Sequence, residues 1–216
     1  MLLLNLVIFR LRFYLVIVER SLRIYQLVCC VSSMWKMNNV ILSKAVSHAL
    51  RHEPWLYELE LDDEGWVSVN ALLSVLRAEK QEWSALHEAD LTEMIAVSSK
   101  KRHELRDGKI RALYGHSFPG RLLKQPTEPP AVLYHGTSPE TALLIRLNGL
   151  QPMGRQYVHL SVDVAMAMQV GHRKSCAPMV LEVLAKRAAE SGVAFYSGND
   201  LVWLADPVPA KFIVFP

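Results

Sequence analysis

AVLYHGT at residues 131–137 and YVHLS at residues 157–161 are two short apolar runs, each ending in a histidine followed closely by a hydroxyl residue. Runs of this length bounded by turn residues read as strands. The segment between them opens a helix at Ser138-Pro139-Glu140 and stops it at Gly149. Two strand ends then present His135, Thr137, His159 and Ser161 together, as polar groups at the rim of an apolar sheet. A second constellation lies upstream, where Arg51-His52 closes one helix and Arg111 sits on a later strand. Downstream, Gly171-His172-Arg173-Lys174 adds Arg173. Three arginines and a histidine around a nucleotide-sized pocket point to phosphate chemistry.

The chain has 216 residues, room for one large domain or two small ones with a real core. Its net charge of +3 is unevenly placed. Residues 1–36 carry +4, residues 37–126 carry −1, and residues 127–216 balance. Within the near-neutral remainder, residues 98–124 hold eight Lys and Arg against two Asp and Glu, a local +6 that can attract a polyanion. Cys29, Cys30 and Cys176 show no metal-ligand or disulfide-scaffold spacing, so a reduced, cytoplasmic protein is expected. The first 36 residues read as an extension outside the core. Their apolar runs are broken by Arg10, Arg12, Glu19, Arg20 and Arg23, too short for a membrane span of roughly 20 residues. They also lack a small-residue cleavage site. A basic surface-seeking helix is one reading; a chain that starts at Met34 or Met37 is the preferred one.

Along the remainder, Leu42, Ala45, Val46, Ala49 and Leu50 mark one face of a helix that Pro54 ends. Ser68 caps a second helix with the stripe Val69, Leu72, Leu73 and Leu76. Asp90 and Glu93 resemble a capping box that opens a third helix. Then His103–Arg106 and Lys109–Leu113 flank Asp107-Gly108, a hairpin signal. Three helices and a basic hairpin make a winged-helix plan over 37–125. PTEPP at 126–130 reads as a stiff linker. Beyond it, strands are expected at 131–134, 157–160, 178–184, 193–196, 201–204 and 211–215, with helices near 138–148 and 161–170. The fold class is α+β, with a second lobe over 126–216 built on a largely antiparallel sheet.

A guanidinium offers a planar fork of donors that matches two phosphate oxygens, which an ammonium does not. Taken singly, Arg51 is a helix C-terminal cation, Arg111 a solvated strand residue and Arg173 a loop cation. Their joint occurrence with the histidine-bearing strands makes the case. No glycine-rich phosphate loop of Rossmann or P-loop type is present, so a nucleotide would lie across the second sheet. His135 and the backbone at Gly136-Thr137 would hold its ribose and amide ends, Gly136 allowing close approach.

With these residues the chain resembles the NAD-dependent RNA 2′-phosphotransferases, enzymes that remove a splice-junction 2′-phosphate. The matching residues are Leu42-Ser43-Lys44, Leu50-Arg51-His52 with Pro54, Gly65-Trp66-Val67, Ile110-Arg111-Ala112 with Gly115-His116-Ser117, Leu133–Thr137, Tyr157–Ser161, Gly171 with Arg173, and Val208-Pro209. Two positions depart from the pattern: Tyr114 stands at a usual glutamine, and Lys174 where a second arginine is common. The resemblance implies that the second lobe is ADP-ribosyltransferase-like. It also implies a catalytic set of Arg51, His52, Arg111 and Arg173, with NAD held by His135, Gly136, Thr137, His159 and Ser161. RNA phosphate would be met by Lys44, His116 and Ser117.

The implied reaction has two steps. The RNA 2′-phosphate attacks the anomeric carbon of the NAD ribose and nicotinamide leaves. The ribose 2″-hydroxyl then attacks phosphorus, releasing RNA and ADP-ribose 1″,2″-cyclic phosphate. An anionic nucleophile needs no general base, so no glutamate is required near Val202, where other transferases of this fold carry one. NAD is consumed as co-substrate, no metal is expected, and the partner is a tRNA-like RNA bearing a 2′-phosphate; the protein is expected to be a monomer that does not engage a membrane. The alternatives are ADP-ribosylation of terminal phosphates of RNA or DNA by the same site, and a non-catalytic winged-helix nucleic-acid-binding protein.

Overall fold

Helical spacing and one tight hairpin build the first half of the molecule. The structure is a computed structural model that describes residues 39–216, so the extension expected over 1–36 lies outside the described residues. Helix α1 covers residues 39–51 and buries Val46, Ala49 and Leu50, the spacing expected of one apolar face. Helix α2 (Val69–Glu79) is capped by Ser68, whose Oγ accepts from the Ala71 amide at 3.1 Å, and its stripe Val69, Leu72, Leu73 and Leu76 is buried. Helix α3 (Glu88–Ala96) begins earlier than its expected capping pair. Asp90 is its third residue and reaches back to the His87 amide at 2.7 Å, so the box is closed from His87 and not from Asp90. Strands β1 (Val67–Ser68), β2 (His103–Arg106) and β3 (Lys109–Ala112) form an antiparallel sheet in the order β1-β3-β2. The turn between β2 and β3 has Asp107 at φ +52° and Gly108 at φ +69°, the left-handed pair a two-residue hairpin demands.

The second half is a six-stranded antiparallel sheet in the order β7-β8-β5-β4-β6-β9. Its strands are β4 (Leu133–Thr137), β5 (Val158–Ser161), β6 (Met179–Val183), β7 (Phe195–Asn199), β8 (Val202–Ala205) and β9 (Ile213–Val214). Three helices are interspersed: α4 (Pro139–Asn148), α5 (Val164–Gly171) and α6 (Ala185–Glu190). The α+β class with antiparallel sheets is therefore borne out. Leu133, Leu160, Leu181, Val183, Phe195 and Ile213 make its core with Ala142 and Ile145 of α4.

Three local features differ from expectation. Strand β4 continues through His135, Gly136 and Thr137, which pair with Leu181, Val180 and Met179 of β6. Helix α5 starts at Val164 because Asp163 takes the cap, accepting from the Met166 amide at 2.7 Å, which leaves Ser161 in its strand. Helix α6 was not anticipated; it is one short alanine-rich turn and a half without an apolar period long enough to read.

Residues Ala45–Pro216 form one compact unit. The PTEPP segment is tied down, since the Thr127 amide donates to the Phe195 carbonyl at 2.8 Å. Just before it, Leu122 receives the Tyr157 hydroxyl on its carbonyl at 2.6 Å and donates its amide to Gln156 Oε1 at 3.1 Å. No helix among the described residues is long and apolar enough to cross a membrane.

Candidate functional site

The end of α1, the approach to β2, the end of β3 and the β4–β5–α5 region surround one cleft. It encloses about 810 Å³ of empty space, part of it open to solvent. Arg51, Lys100, Arg102, Arg155 and Arg173 line it, and among the described residues no Asp or Glu does. Arg173 lowers the pKa of Lys100 and of Arg155 through its charge, after the larger effect of burial on each. Crowded like charge in a partly desolvated recess attracts a polyanion strongly.

Arg51 closes α1, and burial pushes its guanidinium down to about 10. Its Nε is buried without a partner, and its guanidinium carbon lies 5.6 Å from the centre of the Tyr114 ring. The residue after Tyr114 has to be glycine. Gly115 sits at φ +90°, and a Cβ there would fall 1.9 Å from Arg51 Nη2. Arg173 stands two residues beyond α5, its amide bonded to the Val170 carbonyl at 3.2 Å so that the last turn carries it to the cleft. Gly171 lets that turn pass Pro178, whose Cβ would be 2.6 Å from any added Cβ.

His135 and His159 line the same cleft. His135 Nδ1 donates to the His159 carbonyl at 3.0 Å, and His159 Nδ1 donates to the Tyr157 carbonyl at 3.0 Å. Donation from Nδ1 leaves Nε2 of each neutral ring as an acceptor. His159 Nε2 is buried with no partner. Burial, then the charge of Arg155, holds the His159 pKa down at about 3, and burial lowers His135 as well. The recess thus combines fixed cations with neutral imidazole acceptors.

Several expected members stand elsewhere. Antiparallel pairing sets Ser161 opposite Tyr134, at the start of β4 and away from Thr137. Ser161 lines the cleft, but Thr137 does not; it is fully buried and its Oγ1 has no partner. Three of the four strand-end residues, His135, His159 and Ser161, therefore share the cleft, and Thr137 does not. Gly136 lines the cleft, yet its missing side chain serves α5, because a Cβ would lie 1.7 Å from the Ala167 carbonyl oxygen.

Arg111 is also outside the cleft lining. It pairs with Glu104 at 2.7 Å and Glu64 at 3.1 Å and covers the Trp66 ring at 4.3 Å. Arg102, nine residues earlier, lines the cleft. Lys44 is exposed on α1, outside the Ala45–Pro216 unit. His52 is likewise absent from the cleft lining; its Nδ1 is hydrogen-bonded with Ser117 Oγ at 2.8 Å, and the Ser117 amide donates to the Arg51 carbonyl at 2.9 Å, which sets it beside Arg51. His116 is buried edge-on against Phe118 at 5.7 Å, and burial takes its pKa to about 3, so a phosphate would not meet a charged ring there.

Sequence reasoning missed Lys100, Arg102 and Arg155. The first two belong to the local +6 stretch, which signalled charge but not which cation points inward. Arg155 sits in a turn after Met153 at φ +57°, and no pattern announces it. Among the described residues no group of three His, Cys, Asp or Glu comes together to hold a metal ion.

Comparison with known proteins gives a consistent picture. The profile of a family described as "RNA 2′-phosphotransferase, Tpt1 / KptA family" matches residues 37–207. A "Probable RNA 2′-phosphotransferase" of Acetivibrio thermocellus is 56% identical over 174 residues, which cover 81% of this chain and 95% of that protein. One of the same name from Bacillus thuringiensis subsp. konkukian is 56% identical over 172 residues, 80% of this chain and 92% of that protein. "Probable RNA 2′-phosphotransferase 1" of Archaeoglobus fulgidus is 37% identical over 172 residues, 80% of this chain and 78% of that protein.

Proposed function

The chain belongs to the RNA 2′-phosphotransferase family, and we propose that it removes an internal 2′-phosphate from RNA by transferring it to NAD. The observation that carries this reading is the cleft lined by Arg51, Lys100, Arg102, Arg155 and Arg173, with no acid among the described residues, beside His135 and His159. Two anionic groups meet in such a reaction, a dinucleotide diphosphate and an RNA phosphate, and five cations suit that charge. The orphaned Nε2 of His159 requires a donor from the ligand, which a ribose hydroxyl or a carboxamide provides. On this reading residues 37–125 are a winged-helix lobe for tRNA-like RNA, and residues 126–216 an ADP-ribosyltransferase-like lobe for NAD.

NAD supplies the electrophilic anomeric carbon and the ribose hydroxyl that later takes the phosphorus. The chain's part is to orient and neutralise. Arg51, Arg102 and Arg173 fork onto the phosphoryl oxygens, where a preorganised donor is worth most as charge shifts. No carboxylate is needed to activate the nucleophile, because the phosphate arrives ionised. Burial, and then the Arg51 charge, lowers the His52 pKa. An arriving phosphate offsets that charge, so the imidazole can take the proton of the attacking hydroxyl and deliver it to the departing RNA 2′-oxygen.

With NAD and a defined 2′-phosphorylated RNA, and with a chelator present, the expected products are dephosphorylated RNA, nicotinamide and ADP-ribose 1″,2″-cyclic phosphate in equal amounts. His52→Ala slows the overall reaction and leaves NAD binding in place. A stable RNA–ADP-ribose conjugate as the sole wild-type product would mean transfer to phosphates without their removal. No nicotinamide release with any phosphorylated nucleic acid would make the protein a binding module, and strict dependence on added magnesium or zinc would reveal an unrecognised metal site.

A further inference from the structure

Tyr114 has no part in the chemistry just described, yet it touches both Arg51 and His159. It follows β3, is only 9% exposed, and lines the cleft. On one side the guanidinium carbon of Arg51 lies 5.6 Å from its ring centre. On another the ring of His159 meets it edge-on, 6.1 Å between centroids and 69° between planes. Tyr157, Tyr196 and Leu204, all from the second sheet and its approaches, pack with it into one buried cluster. A residue of the first lobe is thus anchored among aromatic groups of the second.

Arg51 needs such an anchor. No carboxylate pairs with it among the described residues, and its Nε is buried without a partner. What confines it is the Tyr114 ring together with the Gly115 backbone, where even a methyl group would collide with Nη2. A cation beside an aromatic face is attracted by the ring quadrupole, and more strongly where water is excluded. A carboxylate in that place would hold the guanidinium as well, but it would compete for the phosphate and repel it. An aromatic ring holds the cation while leaving its N–H fork free.

We infer that Tyr114 is a positioning residue whose ring fixes the guanidinium of Arg51 for phosphate capture and keeps it in register with His159 of the other lobe. The inference rests on the reading that Arg51 takes an anion in this cleft. The hydroxyl plays no part; the ring face does.

Two substitutions separate the possibilities, each followed by the single-turnover rate with NAD and 2′-phosphorylated RNA and by calorimetric binding of inorganic pyrophosphate to the full chain. Tyr114→Phe stays within about twofold of wild type in both. Tyr114→Leu, which fills space without a quadrupole, loses roughly tenfold in both, the scale of one desolvated cation–ring contact. Phenylalanines carrying successive fluorine atoms at this position keep the shape and drain the face of negative charge, so rate and affinity fall stepwise with fluorine count even if the leucine variant does not fold. Unchanged leucine and fluorinated variants would reduce Tyr114 to a filler and overturn the inference, and so would equal losses in Phe and Leu, which would assign the effect to the hydroxyl. Pyrophosphate binding that follows the ring in a protein releasing no nicotinamide would keep the positioning role and discard the proposed reaction.

Discussion

Arg173→Ala lowers the rate of 2′-phosphate removal roughly 10²–10³-fold, the loss expected when one preorganised donor to a charged transition state is deleted. Arg173 reaches the cleft from the turn that ends α5 and adds its charge to a recess already crowded with cations. Its contribution is not charge alone. Arg173→Lys preserves the charge but replaces a planar fork with a single ammonium. It should therefore remain clearly impaired, with a deficit that persists at saturating NAD. Rates of RNA dephosphorylation for the two variants decide the matter: near wild-type turnover in both would take Arg173 out of the site.

The second large effect distinguishes Arg111 of the β2–β3 hairpin from Arg102 just before it. Arg102→Ala should cost the rate on the same 10²–10³ scale, because Arg102 lines the cleft. Arg111→Lys should leave the chemical step nearly intact, since Arg111 is held by Glu104 and Glu64 against Trp66. Its cost falls on the fold, roughly 1–2 kcal/mol from weakened charge-assisted bonds and ring contact. A urea midpoint measured beside the single-turnover rate separates the two. If Arg111→Lys proved as slow as Arg102→Ala with an unchanged midpoint, Arg111 would belong to the chemistry as well.

How legible these features were depends on how local their causes are. The stripes of α1 and α2, the Ser68 cap and the Asp107-Gly108 turn could be read because each depends on residues a few positions apart. The start of α3 could not, because His87 is an unremarkable cap residue until Asp90 is seen bonding back to its amide. The same limit governs the site. His135, His159, Ser161, Arg51 and Arg173 could be picked out and do share a cleft. Thr137 could not be excluded, since only strand register shows that it lies away from Ser161. Arg111 has the sequence context of a site residue until Trp66, Glu64 and Glu104 engage it, and two of those partners come from a turn more than forty residues distant.

The buried imidazoles also make the folded protein a proton-poor state. His103, His116 and His159 are each held at about 3, against an ordinary value of 6.5, with burial the leading cause in all three. An unfolded chain regains the ordinary value, so between those limits it binds up to three more protons than the native one. The native state is favoured in full above pH 6.5 and gives ground as pH falls from there, each histidine contributing at most about 1.4 kcal/mol per pH unit. His159, which lines the cleft, and His103 and His116, which do not, thereby make mild acid destabilising to this fold.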